Sequence, residues 1–132
     1  MKRSKALTTL LLVSGLIATG IGAATLFAPV AFLGTSSIDL GGQVNLLSEV
    51  RAPGGALLAS GLLILLGIYA RQFTFTSTVI SVLMFLSYGI GRILSMAVDG
   101  MPAQEIAAAT VLEMVIGVGG IIALLRLRET AA

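Results

Sequence analysis

The sequence predicts an all-α integral membrane protein, a four-helix bundle with both termini on the cytoplasmic side. Three observations lead there. Of the 132 residues, 57% are apolar and only 11% are charged, whereas a soluble domain is about a quarter charged because its water-facing surface needs polar side chains. The apolar residues gather into four runs, each close to the ~20 residues needed to cross ~30 Å of hydrocarbon at helical rise. The basic residues collect in alternate links between those runs. Backbone amides inside a bilayer must be satisfied within their own segment, which selects helix. No run alternates apolar and polar residues as a barrel strand does. Residues 1–132 are read as one domain.

The first run covers about 6–33 and follows Lys2, Arg3 and Lys5. A basic start before an apolar stretch also describes a secretion leader, with Gly22-Ala23-Ala24 as its cleavage site. The run stays apolar beyond that point, through Phe27 and Phe32, and is too long for a leader core, so it is read as a spanning helix. A loop over 34–48 follows. Thr35-Ser36-Ser37 and Gly41-Gly42 break its periodicity, and Val44, Leu46 and Leu47 are expected to rest a short amphipathic turn on the membrane surface.

The second run covers about 52–70, with Pro53 placed at its start, where a missing N–H costs nothing. The short link 71–75 makes the third run, about 76–98, an antiparallel neighbour of the second. Gly100 and Pro102 end that helix and admit the fourth, about 106–125. Small residues at three- and four-residue spacing, Gly15, Ala18, Thr19 and Gly22 in the first helix and Gly117 and Gly120 in the fourth, mark surfaces where backbones approach closely.

Orientation follows from the links. Lys2, Arg3, Lys5, Arg71, Arg126 and Arg128 share one side of a four-span arrangement, while Asp39, Glu49, Asp99 and Glu105 lie on the other, with Arg51 the one basic residue near them. That is a positive-inside bias, which puts both ends in the cytoplasm.

Composition also excludes function classes. The chain has no Cys and no His, which removes disulfides, thiol chemistry, thiolate metal sites and imidazole acid–base or haem ligation. The carboxylates are too scattered for a magnesium cage. The net charge of +2 sits beside the apolar runs and not in a basic stripe with aromatics, so no nucleic-acid partner is expected. Gly117-Val118-Gly119-Gly120 lies inside an apolar helix and reads as packing surface, not as a phosphate loop. No cofactor is expected.

What remains is a polar cluster in the outer half of the bundle: Glu49, Arg51, Arg92, Ser95, Asp99 and Glu113. Arg92 stands ~10 Å below the outer rim and Glu113 ~12 Å below it, on helices joined by a short link. Tyr88, Arg92, Ser95 and Asp99 line one face of the third helix, and Thr110, Glu113, Gly117 and Gly120 one face of the fourth. Ionisable groups at such depth face the bundle interior, paired or beside water. One reading is an Arg92–Glu113 staple that sets helix register. The other is a polar pocket for a head group, an ion or a proton. Asp99 also has a plain role available, capping the end of the third helix with Gly100.

The tracts Glu49-Val50-Arg51-Ala52-Pro53-Gly54-Gly55 and Gly91-Arg92-Ile93-Leu94-Ser95, with Asp99-Gly100 and Glu113, together resemble a family of small bacterial four-helix inner-membrane proteins known only as a domain of unknown function. The resemblance runs over nearly the whole chain. In that family an aromatic residue often precedes the glycine pair, where this chain has Pro53. More loosely, the architecture is similar to the DoxX-like group of small four-helix proteins linked to membrane redox or quinone-associated systems. The resemblance implies a multi-pass protein of the bacterial inner membrane and carries no activity with it. The expected role is a non-enzymatic accessory protein or complex subunit, packing in the lipid bilayer against other membrane proteins or copies of itself. The alternative is binding of a small amphiphile, a quinone or lipid head group, or proton transfer, at the polar cluster.

Overall fold

The computed structural model describes residues 3–131, so Lys2 of the N-terminal basic group lies outside the described residues. Those residues contain helices and no strand. Helix α1 (Lys5–Phe27) begins at Ser4, whose Oγ accepts from the Leu7 N–H at 3.1 Å, satisfying one of the free donors of the first turn. It does not run on to residue 33 as its apolar length implied. Pro29 supplies no N–H and drives the preceding Ala28 out of helical geometry (φ −135°), so α1 closes and a short helix α2 (Pro29–Gly34) starts afresh. Helix α2 ends in a Schellman turn. The Ile38 N–H reaches the Leu33 carbonyl at 3.1 Å, the Ser37 N–H reaches that of Gly34 at 3.1 Å, and Ser37 sits at φ +61° where glycine is usual.

Helix α3 (Val44–Tyr69) opens well before residue 52. The segment with Val44, Leu46 and Leu47, expected as a separate surface turn, forms its first turns. Pro53, expected at the helix start, therefore lies inside, where its missing N–H removes one ladder bond to the Glu49 carbonyl. A 3-10 turn (Arg71–Phe73) leads into α4 (Thr74–Asp99), which Gly100 ends at φ +100°, and α5 (Gln104–Ala131) completes the chain. Helices α1 and α3, the segment from the 3-10 turn through α4, and α5 are each long and apolar enough to cross a membrane.

Consecutive long helices pack in sequence, α1 on α3, α3 on α4 and α4 on α5. The α1–α3 seam is backbone on backbone. A Cβ on Gly22 would strike the Leu58 amide, one on Gly61 the Thr19 amide, and one on Gly54 would lie 2.9 Å from the Leu26 nitrogen. The pairing runs in opposite directions along the two helices, so they are antiparallel. The α3–α4 seam uses hydroxyls instead. Ser77 Oγ donates to the Leu63 carbonyl at 2.7 Å and Thr74 Oγ1 to that of Gly67 at 2.9 Å, while Thr78 and Ser81 are buried beside them. Two small apolar clusters fill the interior, Leu7, Leu11 and Ile64 toward one end and Ala18, Phe85 and Ile116 toward the middle. Leu16, Leu62, Leu83, Val111 and Val115 point outward and are exposed, a surface suited to lipid and not to water.

Arginines close two helix ends. Arg51, early in α3, donates from Nη1 to the Leu26 carbonyl in the last turn of α1. Arg3, just before α1, donates from Nη1 to the Ile68 carbonyl in the last turn of α3. Those carbonyls have no partner within their own helix and carry the negative end of its dipole, so a cation is the favoured cap.

Candidate functional site

The short link between α4 and α5 makes these helices adjacent, and matched depth brings Arg92 and Glu113 together. Arg92 Nε donates to both carboxylate oxygens of Glu113, at 3.2 Å to Oε1 and 3.1 Å to Oε2. Glu113 is 12% exposed and Arg92 35%, so the acid is held inside while the guanidinium reaches outward. Only Nε is engaged. Among the described residues the Nη hydrogens of Arg92 have no hydrogen-bond partner, although a guanidinium carries five N–H donors in all.

This pair stands on the wall of a cavity of about 340 Å³. Ile17, Ala18 and Ile21 of α1 and Leu57 of α3 form one side, and Met84, Phe85, Tyr88 and Arg92 of α4 another. From α5 come Glu105, Ile106, Ala109, Leu112 and Glu113. Phe32 and Leu33 of α2, with Thr35, Ser36 and Ile38 of the turn after it, complete the wall. Helix α2, which packs on α1 and α3, and the turn after it thus add a wall to a space shared by the α1–α3 and α4–α5 pairs. Pro29 and Leu40, at the two ends of that segment, are buried.

The six residues of the expected polar cluster do not all meet. Arg92 and Glu113 share the cavity wall. Ser95 and Asp99 form a separate exposed pair one turn apart on α4, Ser95 Oγ donating to Asp99 Oδ2 at 3.0 Å. Arg51 is taken by the end of α1, and Glu49 is exposed without a hydrogen bond among the described residues. None of these four lines the cavity. Tyr88 does, one turn from Arg92, so the polar face expected on α4 reaches the cavity with its first two members only.

From the sequence, Phe32 belongs to the first run and Thr35 and Ser36 to a loop, and neither these nor Leu33 is assigned to a site, although all four line the cavity. The one sequence signal for this wall is Pro29, which divides an otherwise continuous apolar run. Among the described residues no three acidic side chains gather to hold a metal ion. Chemically the site offers a cation already half neutralised by its acid, with spare donors, at one wall of a mostly apolar space. Such a space takes a molecule with an acceptor at one end and hydrocarbon elsewhere.

Residues 6–124 match a family model described as Domain of unknown function (DUF4345). No curated protein and no solved structure matches the chain, so the likeness to the DoxX-like group finds no support there.

Proposed function

The chain belongs to this family of unknown function, and from that premise we propose that it is a multi-pass protein of the bacterial inner membrane that binds a small amphiphile between its two helix pairs. One observation carries the reading: unpartnered Nη donors of Arg92 on the wall of an apolar cavity of about 340 Å³. The volume lies at the low end of ligand pockets, which are mainly apolar with a few placed polar groups. The occupant's polar end, a quinone carbonyl or the ester of a lipid head group, accepts from Arg92, and its apolar body lies against Ile17, Phe85 and Leu112. Glu113 holds the guanidinium in place, and with Glu105 also on the wall the lining carries no net positive charge, which favours a neutral acceptor over a free anion. Both termini lie in the cytoplasm, supported by the basic residues at the end of the bundle away from the cavity.

The test is ligand-induced stabilisation of the purified protein in detergent, with a short-chain benzoquinone and a medium-chain monoacylglycerol as probes. A ligand at 100 times its dissociation constant raises stability by about 2.7 kcal/mol. Ala109→Phe fills the cavity from α5 without touching a charge and should abolish the shift. Equal stabilisation of that variant, or none of the native chain by either probe, sinks the proposal.

A second reading, an accessory subunit, draws on α4. Ser87, Gly91 and Ser95 are exposed at four-residue spacing, and a Cβ on Gly91 would meet nothing within 4 Å. Small residues in such a row let another helix approach. A protein that co-purifies with the native chain and is lost in Gly91→Leu would favour it.

A further inference from the structure

A second, larger cavity lies at the opposite end of the bundle, where the N-terminus, the α3–α4 turn and the end of α5 meet. Its volume is about 730 Å³, and it shares no lining residue with the cavity at Arg92. Its charged lining residues are Arg3, Arg71 and Arg126, with no acid among the walls. Arg3 is anchored through Nη1 on the Ile68 carbonyl, which aims a flexible side chain into a defined place. The side chains of Arg71 and Arg126 make no hydrogen bond or ion pair among the described residues. The hydroxyls nearby are already engaged. Ser4 Oγ accepts from the Leu7 N–H, Thr74 Oγ1 donates to the Gly67 carbonyl, and Thr130 Oγ1 donates to those of Arg126 and Leu127. The free polar groups are therefore donors alone, the guanidinium N–H groups and the Ser4 hydroxyl hydrogen.

Below the arginines the cavity turns apolar, with Leu7 and Leu10 of α1 facing Ile122 and Leu127 of α5. Gly119 opens this floor, since a Cβ there would lie 3.8 Å from Leu10 Cδ1, with space to spare. Three like charges at a membrane surface repel one another unless a counter-charge joins them. A guanidinium fork matches phosphate oxygens two at a time. The geometry points to a binding site for an anionic phospholipid: its phosphate is held by Arg3, Arg71 and Arg126, and the upper part of an acyl chain lies between α1 and α5 over Gly119. Phosphate is the chemistry the arginines read. The continuous apolar floor is what selects a lipid over a free phosphate.

The experiment uses the full chain in phosphatidylcholine nanodiscs containing either spin-labelled phosphatidylglycerol or spin-labelled phosphatidylcholine. The immobilised fraction reads relative affinity for the two lipids. The native chain should prefer phosphatidylglycerol. Arg71→Gln and Arg126→Gln should each reduce that preference about fivefold, the size expected for one basic residue near a membrane surface. Arg128→Gln removes the same charge from an exposed residue outside the cavity walls and should leave the preference unchanged. Gly119→Leu fills the floor without altering charge and should also lower it. Equal affinity for the two lipids, or an Arg128→Gln loss as large as that of Arg126→Gln, would overturn the site. Full preference in Gly119→Leu, or displacement of the labelled lipid by inorganic phosphate, would overturn the lipid as its occupant. Circular dichroism of each variant separates loss of binding from loss of fold, and the exposed Arg71 and Arg126 are not part of the packing.

Discussion

The two outer helix pairs are built on different contacts. At α1–α3 three glycines meet the main chain of the facing helix, Gly22 against Leu58, Gly61 against Thr19 and Gly54 against Leu26, while Gly15 meets the Leu65 side chain. At α4–α5 each glycine meets a side chain, Gly89 against Met114, Gly117 against Leu86 and Gly120 against Val82, and an ion pair crosses the seam. Main chain cannot rotate away from an intruding atom, whereas a side chain can. The first pair is thus a fixed unit, and the second has room to adjust its separation. The cavity between the two pairs therefore has one wall that cannot yield and one that can.

The largest effect should break this contrast if it is wrong. Gly61→Ala and Gly22→Ala each press a methyl into backbone, and overpacking at a site that cannot relax costs about 3 kcal/mol or more. Thermal melting in detergent should show both variants largely unfolded at temperatures where the native chain is intact. Near-native melting would mean that α1 and α3 stand further apart than a backbone-on-backbone seam requires.

Next comes the ion pair. Breaking a buried pair typically costs about 3–5 kcal/mol, and the partial exposure of Arg92 should bring Arg92→Leu to about 2–3 kcal/mol. Glu113→Gln should be milder, because an amide oxygen still accepts from Nε. The double variant Arg92→Leu with Glu113→Leu should regain much of the loss, since two apolar residues strand no charge. A double-mutant cycle on thermal stability reads the coupling directly, and strictly additive losses would dissolve the pair.

Gly89→Ala should cost less than about 1 kcal/mol. Its methyl would sit 2.6 Å from the Met114 sulfur, the end of an unbranched side chain that can turn aside. A loss matching that of Gly61→Ala would erase the distinction between the two seams.

The smallest effect concerns glycines that touch nothing. A methyl added at Gly20 or Gly91 would meet no atom within 4 Å. Alanine there should stabilise the helix by up to about 1 kcal/mol through its higher helix propensity. A clear loss at either position, read by the same melting experiment, would place another chain against that face and revive the subunit reading.

The division between what sequence could and could not reveal runs along helix geometry. Rise per residue is fixed, so counting from the helix ends set Arg92 and Glu113 at one depth, and the short link set them side by side. Direction around the helix axis depends on how helices are rotated against their neighbours, which counting does not supply. For that reason the expected polar cluster includes Arg51, which is at the right level but turns to the end of α1. The hydroxyl face of Thr74, Ser77, Thr78 and Ser81 escaped for a related cause. Its residues are moderately polar in an apolar run, and their value lies in carbonyls of α3 that the sequence does not mark. Pro29 and Pro53 show how context decides. Each lacks an N–H, yet the first ends a helix and the second is carried through one. The glycines of α1 were legible as contact points, but their partners in α3 were not.

The arginine caps bear on how the chain is made. Arg51 closes the end of α1 and Arg3 closes the end of α3, so these two helices satisfy exposed carbonyls of each other at both ends of their shared seam. The caps join α1 and α3 without any contribution from α5. The hairpin of α1 and α3 can therefore stand in lipid as an early intermediate, with the later spans docking onto a template already in place. Loss of either cap would be felt first in the yield of inserted protein, and only afterwards in the stability of what had been inserted.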